Sequence, residues 1–141
     1  MKLLPESLRD YPLTVGGGML LLGAAAAYLT LFYVPGPFYL LGTEHSAAVA
    51  QWAAINLGLG LAAVAGGAAL LVVRPRWLRV ILFVMNGIVL IALGSLHLVS
   101  LAGYVSRLLT GRLEGAGWQL TPWHVVPHLV VVGAAGFLLW Q

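Results

Sequence analysis

The sequence predicts an all-α integral membrane protein, folded as a single four-helix transmembrane bundle spanning residues 1–141. Three observations predict it. The chain is 61% hydrophobic and only 8% charged, with a mean hydropathy of +0.98, whereas a soluble domain carries about 25% charged residues. So few charges cannot cover a water-facing surface, and lipid must solvate most of the chain. Next, the apolar residues fall into four runs, 13–34, 46–73, 77–105 and 122–140. Each is long enough, the fourth barely so, to supply the roughly 20 residues that cross a hydrocarbon core of about 30 Å. Finally, none of the runs alternates as the strands of a membrane barrel do, and helices satisfy their own backbone in lipid.

Each run has readable ends. The first follows a charged stretch, Met1 to Asp10, that includes Glu6 and Asp10. It continues past Ala24 to Ala27, so it reads as a helix rather than a cleaved signal sequence. Pro35-Gly36-Pro37 closes it, since proline and glycine together favour a turn. The second and third runs are joined by a very short loop, Arg74-Pro75-Arg76. The third loop, Ser106 to Thr121, is the longest, and it interleaves Arg107, Arg112 and Glu114 with Leu108, Leu109 and Leu113. It reads as a short amphipathic segment on the bilayer surface. Thr121 followed by Pro122 supplies an N-cap and a first-position proline for the fourth helix.

Small residues recur on two helices. Ala54, Gly58, Ala62 and Gly66 stand four apart on the second, and Gly87 and Gly94 seven apart on the third. Such ladders let helix backbones approach closely in lipid. The preferred expectation is tight packing inside the bundle; the other is a docking face for a second protein.

Basic residues set the topology. Lys2, Arg9, Arg74, Arg76 and Arg79 fall on one side, and Arg107 and Arg112 on the other. The positive-inside rule places the richer side, with both termini, in the cytoplasm of a cell-membrane protein. Trp77 and Trp140 then mark the inner interface, and Trp118 and Trp123 the outer one.

Composition also excludes chemistries. The pI near 9.7 comes from only seven basic residues, clustered at helix ends, so nucleic acid is not an expected partner. Cysteine is absent, which removes disulfides, thiolate metal sites and cysteine nucleophiles. None of the four acidic residues lies within a run, which argues against a carboxylate-driven ion path or a serine–histidine–acid hydrolase.

The four histidines are the residues that could carry chemistry. Ionisable groups at membrane depth usually face the bundle interior or water. His97 lies eight residues before Val105, and His128 eight after Leu120, so both sit about 12 Å below the outer surface on consecutive helices. His124 shares a face with His128, and His45 opens the second helix beside Glu44. Imidazole pairs of this kind ligate haem iron, zinc or copper. For haem b, His97 and His128 are the expected ligands, Gly94 the residue that admits the macrocycle, and Arg107 or Arg112 a propionate partner. For zinc or copper, His124, His45 or Glu44 would complete the set. The third expectation is no cofactor, with the imidazoles bridging helices by hydrogen bonds.

Polar residues deeper in the runs join the pattern. Asn56 follows His45, and His97 follows Asn86, by eleven residues, so each pair shares a helix face. Both amides are expected near the midplane, each with a partner inside the bundle, and Tyr28 is a further candidate partner for the histidines. Pro127 is expected to bend the fourth helix or aim His128.

The leading functional expectation is a small integral membrane subunit with an outer-leaflet histidine cluster, carrying haem or a metal for electron transport within a larger complex. The competing expectation is a non-catalytic structural or assembly subunit. A third is a small transporter or quinone-binding protein. Expected partners are the lipid bilayer and either another membrane protein or further copies of the chain. The sequence does not assign an enzymatic activity.

Overall fold

A polar residue on an otherwise apolar helix fixes which way that helix faces, and the architecture follows from this. The computed structural model describes residues 11–30, 46–110 and 125–141. They form four helices: α1 (Tyr11–Tyr28), α2 (Ser46–Val72), α3 (Arg76–Leu109) and α4 (Val125–Trp140). Asn56 is fully buried, and it sets the phase of α2. The positions buried with it are Ala53, Gly60, Ala63, Gly67 and Leu70, alternately three and four apart. On α3 the same alternation runs through Asn86, Leu90, Leu93 and His97, on α1 through Val15, Met19, Leu22 and Ala26, and on α4 through Val131, Ala135 and Leu138. A mean spacing near 3.5 keeps one stripe facing its neighbours in helices packed about 20° from antiparallel.

Each helix packs on the next in sequence, and α4 closes the ring against α1. The most extensive contact is α1 on α2. Gly23 faces Gly60, and Gly16 faces Gly67. A Cβ on Gly67 would stand 2.6 Å from the Gly16 carbonyl oxygen, and one on Gly60 2.9 Å from that of Gly23. Backbones this close admit only glycine, as interfaces between membrane helices often require.

The α2–α3 connection is as tight as the sequence predicts. Arg79 Nε donates 2.7 Å to the Val73 carbonyl and so caps the end of α2 with its own positive charge. Outward surfaces are apolar, with Leu21 76% and Val99 72% exposed. Stretches of α2 and α3, Gln51–Val72 and Arg76–Gly103, are long and apolar enough to cross a membrane. The apolar stretches of α1 and α4, Leu13–Tyr28 and Val125–Trp140, are shorter.

Two sequence expectations are corrected. First, α3 runs on to Leu109, so Ser106 to Leu109 continue this helix, beyond the apolar stretch that ends at Gly103, rather than begin the loop. Second, most of the small-residue stripe does not line the interior: Ala54, Gly58 and Ala62 are exposed, and nothing stands within 4 Å of a Cβ on Gly58, whereas Gly66 packs against Asn86 of α3. The interior ladder is the adjacent one, phased by Asn56. Pro127 lies in the first described turn of α4, and Trp123, whose carbonyl its missing N–H would leave free, lies outside the described residues. Gly94 does meet α4, at Ala135, whereas a Cβ on Gly87 would meet nothing within 4 Å. The expected helix ends at 31–34 and 122–124 lie outside the described residues.

Candidate functional site

Where the four helices converge, each contributes one polar side chain. Thr30 stands at the end of α1, where the helix widens into a π turn at residues 29–30. Its hydroxyl donates 2.9 Å to the Ala26 carbonyl. Asn56 of α2 donates through Nδ2 to Thr30 Oγ1 at 2.7 Å and to the Ala26 carbonyl at 3.2 Å. Asn56 Oδ1 lies 2.8 Å from His97 Nε2 of α3. His97 Nδ1 lies 2.8 Å from His128 Nδ1 of α4. Thr30, Asn56 and His97 are all at most 4% exposed, and among the described residues no buried side-chain nitrogen or oxygen lacks a partner.

The donors and acceptors of this chain follow from one fixed end. A carbonyl can only accept, so at Ala26 the Asn56 amide must present its NH2 group. Its oxygen therefore faces His97, and that oxygen too can only accept. His97 Nε2 must carry a proton. In neutral His97 the remaining nitrogen, Nδ1, is then an acceptor, and His128 must donate to it from Nδ1. A neutral His128 thus leaves its Nε2 as the basic atom. One backbone carbonyl on α1 sets the tautomers of two histidines on α3 and α4.

Trp52 walls the pair. Its indole meets His97 edge-on with ring centroids 5.6 Å apart, and His128 at 6.0 Å. The Trp52 Nε1–H donates 2.9 Å to Ser100 Oγ, which in turn donates 2.9 Å to the Leu96 carbonyl. This second link between α2 and α3 holds the indole against the imidazoles.

The structure therefore brings together His97, His128 and Asn56 of the residues singled out from sequence. Asn86 is buried as expected, but it bonds elsewhere: its Nδ2 donates 3.2 Å to the Gly66 carbonyl. The two amides do not share a level. Asn56 is level with His97, and Asn86 lies eleven residues, about 16 Å, below it on α3. Tyr28 is 61% exposed. His45, His124 and Glu44 lie outside the described residues, as does the side chain of Arg107.

Sequence reading missed Thr30, Trp52 and Ser100. Two had a signal: Trp52 is one turn from Asn56, and Ser100 is three residues beyond His97, both on inward faces.

The arrangement does not fit iron held between the two imidazoles. Nitrogens ligating one iron from opposite sides stand roughly 4 Å apart, but here the facing nitrogens are 2.8 Å apart in a direct hydrogen bond. The other His97 nitrogen is engaged by Asn56, and Gly94 faces Ala135 instead of opening a slot. Among the described residues no three histidine, aspartate or glutamate side chains group as metal ligands. A small pocket of about 30 Å3 lies at the other end of the bundle, beside Val15, Asn86, Gly87 and Leu138.

No protein-family model, curated protein or solved structure matches this chain, so its reading rests on its own geometry.

Proposed function

We propose that this chain is a multi-pass integral membrane protein of the cell membrane, with both termini cytoplasmic, that serves as a structural or assembly subunit of a larger membrane complex. The hydrogen-bonded clasp carries the reading. Polar groups from all four helices engage one another at the centre, while large apolar side chains cover the outside. That distribution suits lipid as solvent, where an unpaired polar group costs several kcal/mol. Four helices of these lengths enclose little interior of their own, which favours association with a membrane partner.

The structural reading stands ahead of the haem- or metal-carrying electron-transfer reading because the facing imidazole nitrogens are engaged with each other and with Asn56. An absorption spectrum of the purified chain separates the two. The structural reading expects no Soret band; a Soret band with split reduced bands would return the function to electron transfer. Topology is tested separately. Five basic residues against two place Gln141 in the cytoplasm, and a reporter fused there that works only on the outer side would overturn it.

A further inference from the structure

The turn between α2 and α3 concentrates positive charge. Arg74, Arg76 and Arg79 stand within six residues, all exposed, between the apolar stretches that end at Val72 and begin at Arg76. We propose that these three arginines form a binding site for the phosphodiester headgroup of an anionic phospholipid. The site rests on the membrane reading of the chain and is independent of its structural or assembly role.

Three guanidiniums this close repel one another, and their surroundings do not neutralise them. No aspartate or glutamate occurs among the described residues. An acidic residue in the first turn of a helix matches the positive end of its dipole. α3 has none there and carries Arg76 and Arg79 instead. The Arg79 N–H bonds the Pro75 carbonyl at 3.1 Å, so the positive end of α3 falls inside the turn itself. On the surface that the sequence assigns to this side, Lys2, Arg9 and the three arginines stand against Glu6 and Asp10, which lie outside the described residues. The charge left over is positive.

One of the three guanidiniums is already held. Arg79 Nε donates to the Val73 carbonyl at 2.7 Å, which folds the side chain back over the turn onto the Val73–Arg74 peptide. That bond uses Nε and leaves the Nη1 and Nη2 hydrogens at the far end of the fork, a pair that can meet two oxygens of one phosphate. Holding the fork in advance lowers the ordering cost of binding. Arg76 lies three residues before Arg79 on the same face of α3. Arg74 adjoins the carbonyl to which Arg79 is tied. The three can therefore converge on one anion.

The apolar surface beside the turn matches the rest of a lipid. Trp77 follows Arg76 directly and is 67% exposed, as indoles that border headgroups are. Val80 and Val84 continue that exposed face of α3 toward its middle. A free phosphate would meet the arginines alone. A phospholipid meets the arginines, Trp77 and the valines together, so a lipid is the ligand that fits.

The test uses the full chain reconstituted in phosphatidylcholine vesicles, with a trace of spin-labelled phosphatidylglycerol or of spin-labelled phosphatidylcholine. Electron spin resonance reads how much of each label the protein immobilises. The expected result is a preference for phosphatidylglycerol of at least about fivefold, the contribution of one basic residue near an anionic surface. Arg74→Lys, Arg76→Lys and Arg79→Lys together keep the charge and the topology but remove the forked donors, and should cut the preference to about half or less. The corresponding triple glutamine variant should abolish it. Arg107→Gln with Arg112→Gln, on the opposite surface, should leave it unchanged. Equal immobilisation of the two labels, a lysine variant as selective as the parent, or loss of the preference in the Arg107 and Arg112 variant would each overturn the site. Inorganic phosphate should displace the labelled lipid no better than chloride at equal ionic strength; stronger displacement would assign the arginines to free phosphate and overturn the lipid. No immobilised lipid of either kind would overturn the membrane reading together with the site. A Soret band would overturn the structural reading and leave the site standing, so the two can fail separately.

Discussion

The two buried asparagines of this bundle do different work at levels about 16 Å apart. Asn56 uses both ends of its amide, bonding α1 on one side and α3 on the other, and through His97 it reaches α4. Asn86 spans only α3 to α2, through one bond to the Gly66 backbone. The difference teaches that burial alone does not make a polar residue a hub. What matters is whether its neighbours carry further polar groups. Around Asn56 they do. Around Asn86 the neighbours are glycine, Val15 and Leu138, and the amide is a local pin.

Four substitutions break or sharpen that contrast, all read by reversible unfolding in mixed micelles. Asn56→Leu has the largest expected effect, about 3 kcal/mol, because it strands the buried His97 Nε2–H and disconnects α1 from α3 at this level. Gly66→Ala comes next, at about 1–2 kcal/mol. A Cβ there would fall on Asn86 Oδ1, pushing the amide aside while leaving it buried without its carbonyl. Asn86→Leu should cost less, about 0.6 kcal/mol, the mean for a hydrogen bond between membrane helices, since it removes the amide along with its need for a partner. Gly58→Ala should change stability by no more than about 0.5 kcal/mol, because that face of α2 is open. If Asn86→Leu proved as damaging as Asn56→Leu, the distinction between hub and pin would fail.

Much of this was legible in the sequence, and the parts that were not failed for identifiable reasons. The four helices, the tight Arg74–Arg76 turn and the inward facing of Asn56, Asn86 and His97 follow from hydropathy and the cost of a polar group in lipid. The approach of His97 to His128 follows from equal depth on consecutive helices. The level of the amides was misread because matched eleven-residue offsets suggested symmetry. Counting from the turn gives the correct pairing: Asn56 lies 18 residues before Arg74, His97 lies 21 after Arg76, and Asn86 only 10 after it. The small-residue stripe was misread for a related reason. Ala54, Gly58 and Ala62 form a regular ladder, but Asn56 sets the inward phase, and that phase selects Gly60, Ala63 and Gly67. Thr30 was hidden because a threonine near a helix end ordinarily bonds its own backbone. It does so here, and it also accepts from Asn56.

The central claim is that Thr30, Asn56, His97 and His128 act as one connected clasp. A double-mutant cycle between Thr30→Val and His97→Leu tests it most directly, because those two side chains communicate only through the Asn56 amide. With Thr30 gone the amide loses the hydroxyl that fixes its orientation, so removing His97 should then cost less. The account predicts a coupling of at least about 0.5 kcal/mol, as for residues in one hydrogen-bond network. Costs that add to within about 0.3 kcal/mol, as for independent sites, would contradict it.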